Sequence, residues 1–315
     1  MENQKKMHIF HRSEEVRAYL GEQRKKGRTI GFVPTMGYLH EGHLSLFRQA
    51  VRQTDCAIAS IFINPTQFGD REDYLKYPKD PTHDRFLASE AGIEGLFCPD
   101  QTVIYPNGTT ISVKISAKTD VLCGKSRPGH FDGVGTVLTK LFNIIQPDKV
   151  FFGMKDAQQI AIVKDLIDAF HFPVKLIACP IVREPNGLAR SSRNVRLSTA
   201  ERQEAVHLYK SLQAGLELVR GGNRSFSAIK ERVRGYLKSH LSLGTVDYVD
   251  VLHYPELKRS KDDQIQSRFI IALAVNYTHA RLIDNVTGIC SGSENTRHSA
   301  ALGWETGSNT CDRSL

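Results

Sequence analysis

Residues 34–43 read PTMGYLHEGH and place His40 and His43 three positions apart, with Gly37 and Gly42 beside them. The stretch directly follows a short apolar run, TIGFV at 29–33. Glycine lets a main chain approach a phosphate closely. A helix opening near Gly42 would offer unpaired N–H groups and the positive end of a dipole. Imidazoles there would donate hydrogen bonds to phosphate oxygens or pass protons. Taken alone, the pattern is also that of a turn with two solvated histidines, or of half a metal site, although no third ligand lies nearby in the sequence.

Three more segments carry similar chemistry. NPTQFG contains Asn64 and Gln67, whose amides read hydroxyl or carboxylate groups. For Asn64, ordinary Asn-Pro turn chemistry is the strong alternative. Asp80 and Asp84 follow, each a Mg²⁺ ligand or a helix cap. MKDAQQ holds Lys155, which would neutralise phosphate charge, and Asp156, which would hold Mg²⁺ or, by default, cap a helix. Gln158 and Gln159 face either a substrate or solvent. In REPNGLARSSRN, Asn186-Gly187 makes a turn, and Arg190, Ser191, Ser192 and Arg193 have the composition of a phosphate clamp. Arg196 reads better as a basic surface residue.

Each of these segments follows an apolar run, so the elements that position them are strands. TIGFV (29–33), CAIASIFIN (56–64), GLFCP (95–99), KVFFG (149–153) and VKLIACPIV (174–182) read as buried strands. Helical patterns separate several of them: GHLSLFRQAVRQT after the first, then 133–146 and 156–170. Strand, helix, strand implies parallel pairing. Residues 1–185 are therefore expected to form a Rossmann-like open parallel sheet domain of α/β class. Ligands bind at the carboxyl ends of such strands, where the four polar segments fall. Beyond that point Ser198 and Glu201 fit a capping box opening a helix to about 219, and a second helix is expected over 226–241. Strands are expected at 246–252, 268–277 and 280–286, giving a smaller α+β domain over 186–286. The stretch 287–315 is rich in Gly, Ser, Thr and Asn, has little periodicity and reads as a disordered tail. Its Trp304 marks either a docking peptide or an idle tail.

Composition narrows the function. The formal net charge of +8 suits anionic ligands. The basic residues are dispersed without interleaved aromatics, which disfavours a nucleic-acid surface. The apolar runs are too short for a membrane span, and the charged N-terminus predicts no signal peptide. Six scattered cysteines form no CxxC pair; four lie in or beside apolar or turn segments and read as packing residues, and a reducing, cytoplasmic setting fits best. GxxxxGK[ST] and GxGxxG are both absent, which excludes a P-loop NTPase and argues against a dinucleotide oxidoreductase. What remains is a nucleotide-binding enzyme acting at phosphate, with amides for a small polar substrate.

PTMGYLHEGH, NPTQFG, YP (77–78), RPGHFDGVGTVLTKLFNIIQPD, FFGMKDAQQ, IVREPNGLARSSRN and RLIDN, in that order from about residue 8 to 285, resemble the pantoate–β-alanine ligase (pantothenate synthetase) family. HEGH is similar to the HxGH signature of the wider nucleotidylyl-transferase group, and RSSRN to that group's second phosphate loop. The resemblance implies that pantoate carboxylate attacks the α-phosphate of ATP, giving pantoyl adenylate and pyrophosphate. The amine of β-alanine then gives pantothenate and AMP. It implies ATP contacts from Met36, Gly37, His40, Gly42 and His43, with His40 and His43 on the phosphates and His43 as proton donor. Gly153, Met154, Lys155 and Asp156 would also bind ATP, with Lys155 catalytic. Val182 would meet adenine by its main chain, and Arg190, Ser191, Ser192 and Arg193 would close over the phosphates. Gln67 and Gln159 would hold pantoate, Gln67 also lying near β-alanine. Mg²⁺, with Asp84 as the carried-over ligand, and a homodimer are implied as well. The chain departs from the family pattern at Met154, Asn186, Arg190 and His83.

Overall fold

A computed structural model describes residues 7–69 and 71–290. Among these, nine strands run in chain order: β1 (His8–Phe10), β2 (Ile30–Thr35), β3 (Cys56–Ile61), β4 (Gly95–Phe97), β5 (Lys149–Gly153), β6 (Lys175–Cys179), β7 (Thr245–His253), β8 (Arg268–Asn276) and β9 (Arg281–Ile289). Between them lie α1 (Ser13–Lys25), α2 (Glu41–Gln53), α3 (Arg71–Leu75), α4 (Pro81–Glu90), α5 (Gln101–Ile104), α6 (Leu122–Ser126), α7 (His130–Ile145), α8 (Ala157–Ala169), α9 (Thr199–Glu204), α10 (Val206–Arg220) and α11 (Phe226–His240).

The first six strands form one parallel sheet in the order β1-β4-β3-β2-β5-β6. This is the open α/β sheet expected from the apolar runs. From β2 the chain winds outward through β3 and β4 on one side, then returns through β5 and β6 on the other. The reversal falls between β2 and β5, which makes that edge the topological switch point, where a crevice opens beyond the strand ends. β3 is buried along nearly its whole length, as a strand covered by helices on both faces must be.

The second sheet is antiparallel, β7-β8-β9. Residues of β8 alternate between two cores. Phe269, Ile271, Leu273 and Val275 pack with Phe226, Ile229, Val233 and Leu237, which recur at helical spacing along α11. Ile270 and Ala272 point the other way and pack with Leu122 of α6 and Ala157 and Ala161 of α8. The small sheet is thus covered by its own helices on one face and by the parallel-sheet unit on the other.

Several expectations need adjustment. β3 stops at Ile61 because Asn64 caps a 3-10 turn over Pro65–Gln67. Ser198 opens a capping box with Glu201, but the expected single helix divides into α9 and α10 at Ala205, which keeps right-handed helical backbone (φ −61°, ψ −15°). β9 runs to Ile289, pairing Thr287, Gly288 and Ile289 with Ile270, Phe269 and Arg268, so residues 287–289 are strand and not the expected tail. The remainder of that tail, with Trp304 and Cys311, lies outside the described residues. Cys56, Cys123, Cys179 and Cys290 are buried as packing residues.

Candidate active site

The loop after β2 enters α2 through His40, its N-cap. His40 Nδ1 accepts the N–H of Gly42 at 3.1 Å, and His43 Nδ1 accepts the N–H of His40 at 3.3 Å. This is a capping box built from two imidazoles, whose ring centroids lie 4.1 Å apart. A nitrogen that accepts a main-chain N–H carries no proton, so in each neutral ring the proton sits on Nε2. Burial, then the charges of Lys155 and Arg190, push the His40 pKa down to about 4. Burial, then His40 and Lys155, hold that of His43 well below the usual histidine range. Both rings are neutral Nε2–H donors at physiological pH.

Asp84, read as a Mg²⁺ ligand, has a different place. It is 2% exposed, and its two oxygens accept the N–H groups of Tyr38 (2.9 Å) and Leu39 (2.7 Å). It anchors the glycine loop from behind, where Gly37 has φ +83° and an added Cβ would meet an Asp84 oxygen at 2.9 Å. Asp80 caps α4, accepting the N–H of the exposed His83 at 3.0 Å. Among the described residues no three His, Cys, Asp or Glu side chains group as a metal cage.

Across the switch point, β5 delivers Gly153, Met154, Lys155 and Asp156. Asp156 stands at the N-cap position of α8 without a side-chain cap hydrogen bond, contrary to the capping default, and its carboxylate lines the crevice. The two glutamines separate. Gln158 is buried and bonded to the carbonyls of Lys118 and Val121 and the N–H of Gly124, whereas Gln159 lines the crevice.

The loop beyond β6 folds back over α2. Arg190 N–H donates to the Val182 carbonyl at 2.9 Å, and an added Cβ on Gly42 would lie 3.7 Å from Arg190 Cβ. Arg190 Nε is buried without a hydrogen-bond partner, and one terminal nitrogen lies 4.0 Å from Glu184. Ser191 Oγ caps a 3-10 turn by accepting the Arg193 N–H, and Ser192 Oγ is 3.3 Å from the Tyr77 hydroxyl. Asn186 supports the Gly187 turn by accepting the Leu188 N–H at 3.1 Å, so it keeps the function an aspartate would have there. Arg196 donates to the Lys76 carbonyl at 2.8 Å and is half-buried rather than a free surface charge.

These loops enclose a cavity of about 240 Å³. Met36, His40, Gly42, His43, Gln67, Gly153, Lys155, Asp156, Gln159, Val182 and Arg190–Arg193 all line it, whereas Gly37, Met154 and Asp84 do not. Its other wall is apolar: Phe62, Val134, Val137, Leu138 and Phe152. A larger cavity of about 570 Å³ adjoins it on the side of the small sheet and shares Lys155, Asp156, Gln159 and Arg193. The paired histidines line the smaller one alone, which makes it the candidate for the chemistry.

Sequence reasoning missed Arg127 and His130. His130 Nδ1 lies 2.7 Å from the Gln67 carbonyl, and its Nε2 3.1 Å from Arg127. A guanidinium only donates, so Nε2 accepts and Nδ1–H donates to Gln67. Burial, then Arg127, push the His130 pKa down to about 4. The pair fixes the main chain of Gln67, and Asn64 Nδ2, at 3.2 Å from Oε1, fixes its amide. Asn64 is itself locked by Tyr105 and the Gly133 carbonyl, so the turn reading holds for it. The signal was the RPGH segment, which helped carry the family resemblance but was given no site role, because it precedes a helix without following a strand.

The Pantoate-beta-alanine ligase family profile matches residues 8–287. A pantothenate synthetase of Geobacillus thermodenitrificans is 48% identical over 280 residues, covering 89% of this chain and 96% of that protein. One of Bacillus licheniformis is 51% identical over 263 residues, covering 84% and 90%. The crystal structure of pantothenate synthetase from Thermus thermophilus superposes with a TM-score of 0.83 at 38% identity, covering 89% of this chain and 99% of that one. Pantoate-beta-alanine ligase from Francisella tularensis, complexed with beta-gamma ATP and beta-alanine, gives 0.73 at 31% identity, covering 89% and 97%. With its paired histidines, its lysine loop and its serine–arginine loop on one crevice, the chain belongs to the pantoate–β-alanine ligase family.

Proposed function

We propose that this protein condenses pantoate with β-alanine, using ATP and passing through pantoyl adenylate. The observation that carries this reading is the meeting of two neutral Nε2–H donors and Lys155 across the β2–β5 switch point. Attack by a carboxylate on an α-phosphate builds negative charge on phosphate oxygens. Fixed donors in a partly dry cleft stabilise that charge without reorganising. His40 and His43 supply two such donors, and Lys155 and Arg193 supply charge. Ser191 and Ser192 carry hydroxyls in the loop that closes over α2. Because both histidines are neutral, His43 serves as a hydrogen-bond donor to the departing pyrophosphate through Nε2–H.

Gln67 and Gln159 line the same cavity as the apolar wall. Their amides suit the carboxylate and hydroxyls of pantoate, and Val134, Val137 and Leu138 suit its methyl groups. Mg²⁺ fits here as an ion carried in by the nucleotide, because it is commonly held by one carboxylate, phosphates and water. Asp156, exposed and uncommitted to a cap, would hold it, and the ion would neutralise phosphate charge. We also read the enzyme as a cytoplasmic homodimer, which sedimentation at micromolar concentration tests.

Incubation with ATP, pantoate and β-alanine is expected to give pantothenate, AMP and pyrophosphate in equal amounts. Omitting β-alanine should leave a pantoate-dependent exchange of labelled pyrophosphate into ATP. ADP and phosphate as products would defeat the adenylate route.

A further inference from the structure

The lysine loop belongs to the parallel sheet, yet it is held from the other sheet. Asn285, in the middle of β9, is 4% exposed, and its Nδ2 donates to the carbonyls of both Met154 and Lys155, at 2.9 Å each. Those two carbonyls belong to the peptide planes on either side of the Lys155 Cα. Each plane is rigid, so fixing both sets the backbone dihedrals of Lys155 and the direction in which its side chain leaves the chain. A second contact from the smaller unit, the Tyr254 hydroxyl in the turn after β7 to the Ala157 carbonyl at 3.1 Å, holds the start of α8.

Asn285 is itself immobilised. Its N–H donates to Asp284 Oδ1 at 2.7 Å, and its carbonyl accepts from Arg183 at 3.2 Å. Arg183 and Asp284 form a bidentate pair (2.6 and 2.9 Å) in which the aspartate is 3% exposed, and the guanidinium stacks 3.6 Å from the Tyr209 ring. A rigid donor on a rigid strand is what aiming a flexible four-carbon side chain requires.

We infer that Asn285 is a positioning residue for Lys155: the smaller sheet sets the direction of the phosphate-binding lysine. The inference rests on the reading that Lys155 meets the nucleotide phosphates. The alternative is that Asn285 only fastens two packed units together. A double-mutant cycle separates the two, since a residue acting through Lys155 loses its effect once Lys155 is gone. Asn285→Ala and Asn285→Ser are each combined with Lys155→Ala in the full-length chain. Serine keeps a polar group but is too short to span both carbonyls, and it serves if the alanine variant does not fold. The readouts are kcat/KM for ATP and, independently of turnover, ATP affinity by titration calorimetry.

Removing the Asn285 amide is expected to lower kcat/KM and affinity about tenfold in the Lys155 enzyme. In the Lys155→Ala background the same change is expected to have less than about a twofold effect. Equal losses in both backgrounds would overturn the inference and leave the phosphate role of Lys155 standing. A Lys155→Ala enzyme with unchanged ATP use would overturn that role, and the inference with it.

Discussion

His43 Nδ1 accepts the main-chain N–H of His40, the residue that caps its own helix, while His40 Nδ1 accepts the N–H of Gly42. Cap and donor are thus two ends of each ring. Asparagine is a good N-cap but cannot present the outer donor. His40→Asn is expected to leave thermal stability within about 1 kcal/mol of the parent. It should still lower kcat for adenylate formation, by about 10²-fold if the Nε2–H meets a phosphate oxygen. His43→Ala is expected to lose a similar or larger factor. Melting curves and single-turnover rates measured together check both, and a His40→Asn enzyme with parental rates would contradict the assignment.

Gly133 packs α7 directly on the turn that carries Gln67. A Cβ there would meet the Thr66 carbonyl oxygen at 2.3 Å and the Gln67 nitrogen at 2.6 Å, both main-chain atoms. Gly133→Ala should therefore cost about 1–3 kcal/mol of stability and raise KM for pantoate, because the turn has to move. Gly135→Ala is the control. The nearest atoms its Cβ would meet are side-chain atoms of Ile115 and Val113, at 3.1–3.4 Å, and these can yield. Equal effects of the two variants on KM would contradict the account.

Acid should destabilise the fold over a defined range. His40 and His130 have pKa values pushed down to about 4, by burial first and then by neighbouring positive charge. In the unfolded chain each binds a proton near pH 6.5, whereas the folded protein resists until about 4. Unfolding therefore takes up protons, and stability falls as pH drops from about 6.5 towards 4. Protonation would also place an Nδ1–H of His40 against the N–H of Gly42. Denaturant melts at pH 7, 6 and 5 should show the decline, and His130→Asn should make it shallower. A slope that His130→Asn leaves unchanged would show that this ring is not held neutral.

The four strand-end loops were legible because buried parallel strands are near-continuous apolar runs, and ligands gather at their carboxyl ends. KVFFG followed by Lys155 is the clearest case. Arg127 and His130 escaped because they enter the site from the end of α6 and the start of α7, with no strand ahead of them. Asp84 was carried over as a Mg²⁺ ligand from the family resemblance, and only the fold reveals the two main-chain N–H groups, of Tyr38 and Leu39, aimed at it. α1 went unseen because its buried face is only Val16, Leu20 and Gln23. Asn285 lies 130 positions from the lysine carbonyl it holds, beyond the reach of local patterning.

The end of β9 makes a further distinction. A chain ending at residue 290 keeps Thr287–Ile289 paired with Arg268–Ile270. One ending at 286 loses those rungs and leaves Phe269 uncovered, since Gly288 lies against its ring. The longer truncation product should match the full chain in activity and melting temperature, and the shorter should melt several degrees lower. Identical melting curves would mean that the last rungs of β9 contribute nothing.

The central claim is that a pantoate oxygen attacks the α-phosphate in this crevice. Pantoate labelled with ¹⁸O in its carboxylate tests it most directly. During turnover with ATP and β-alanine, one labelled oxygen should pass into AMP and none into pyrophosphate, read by mass spectrometry of the products. Unlabelled AMP, or label in inorganic phosphate, would contradict the adenylate and the site built around it.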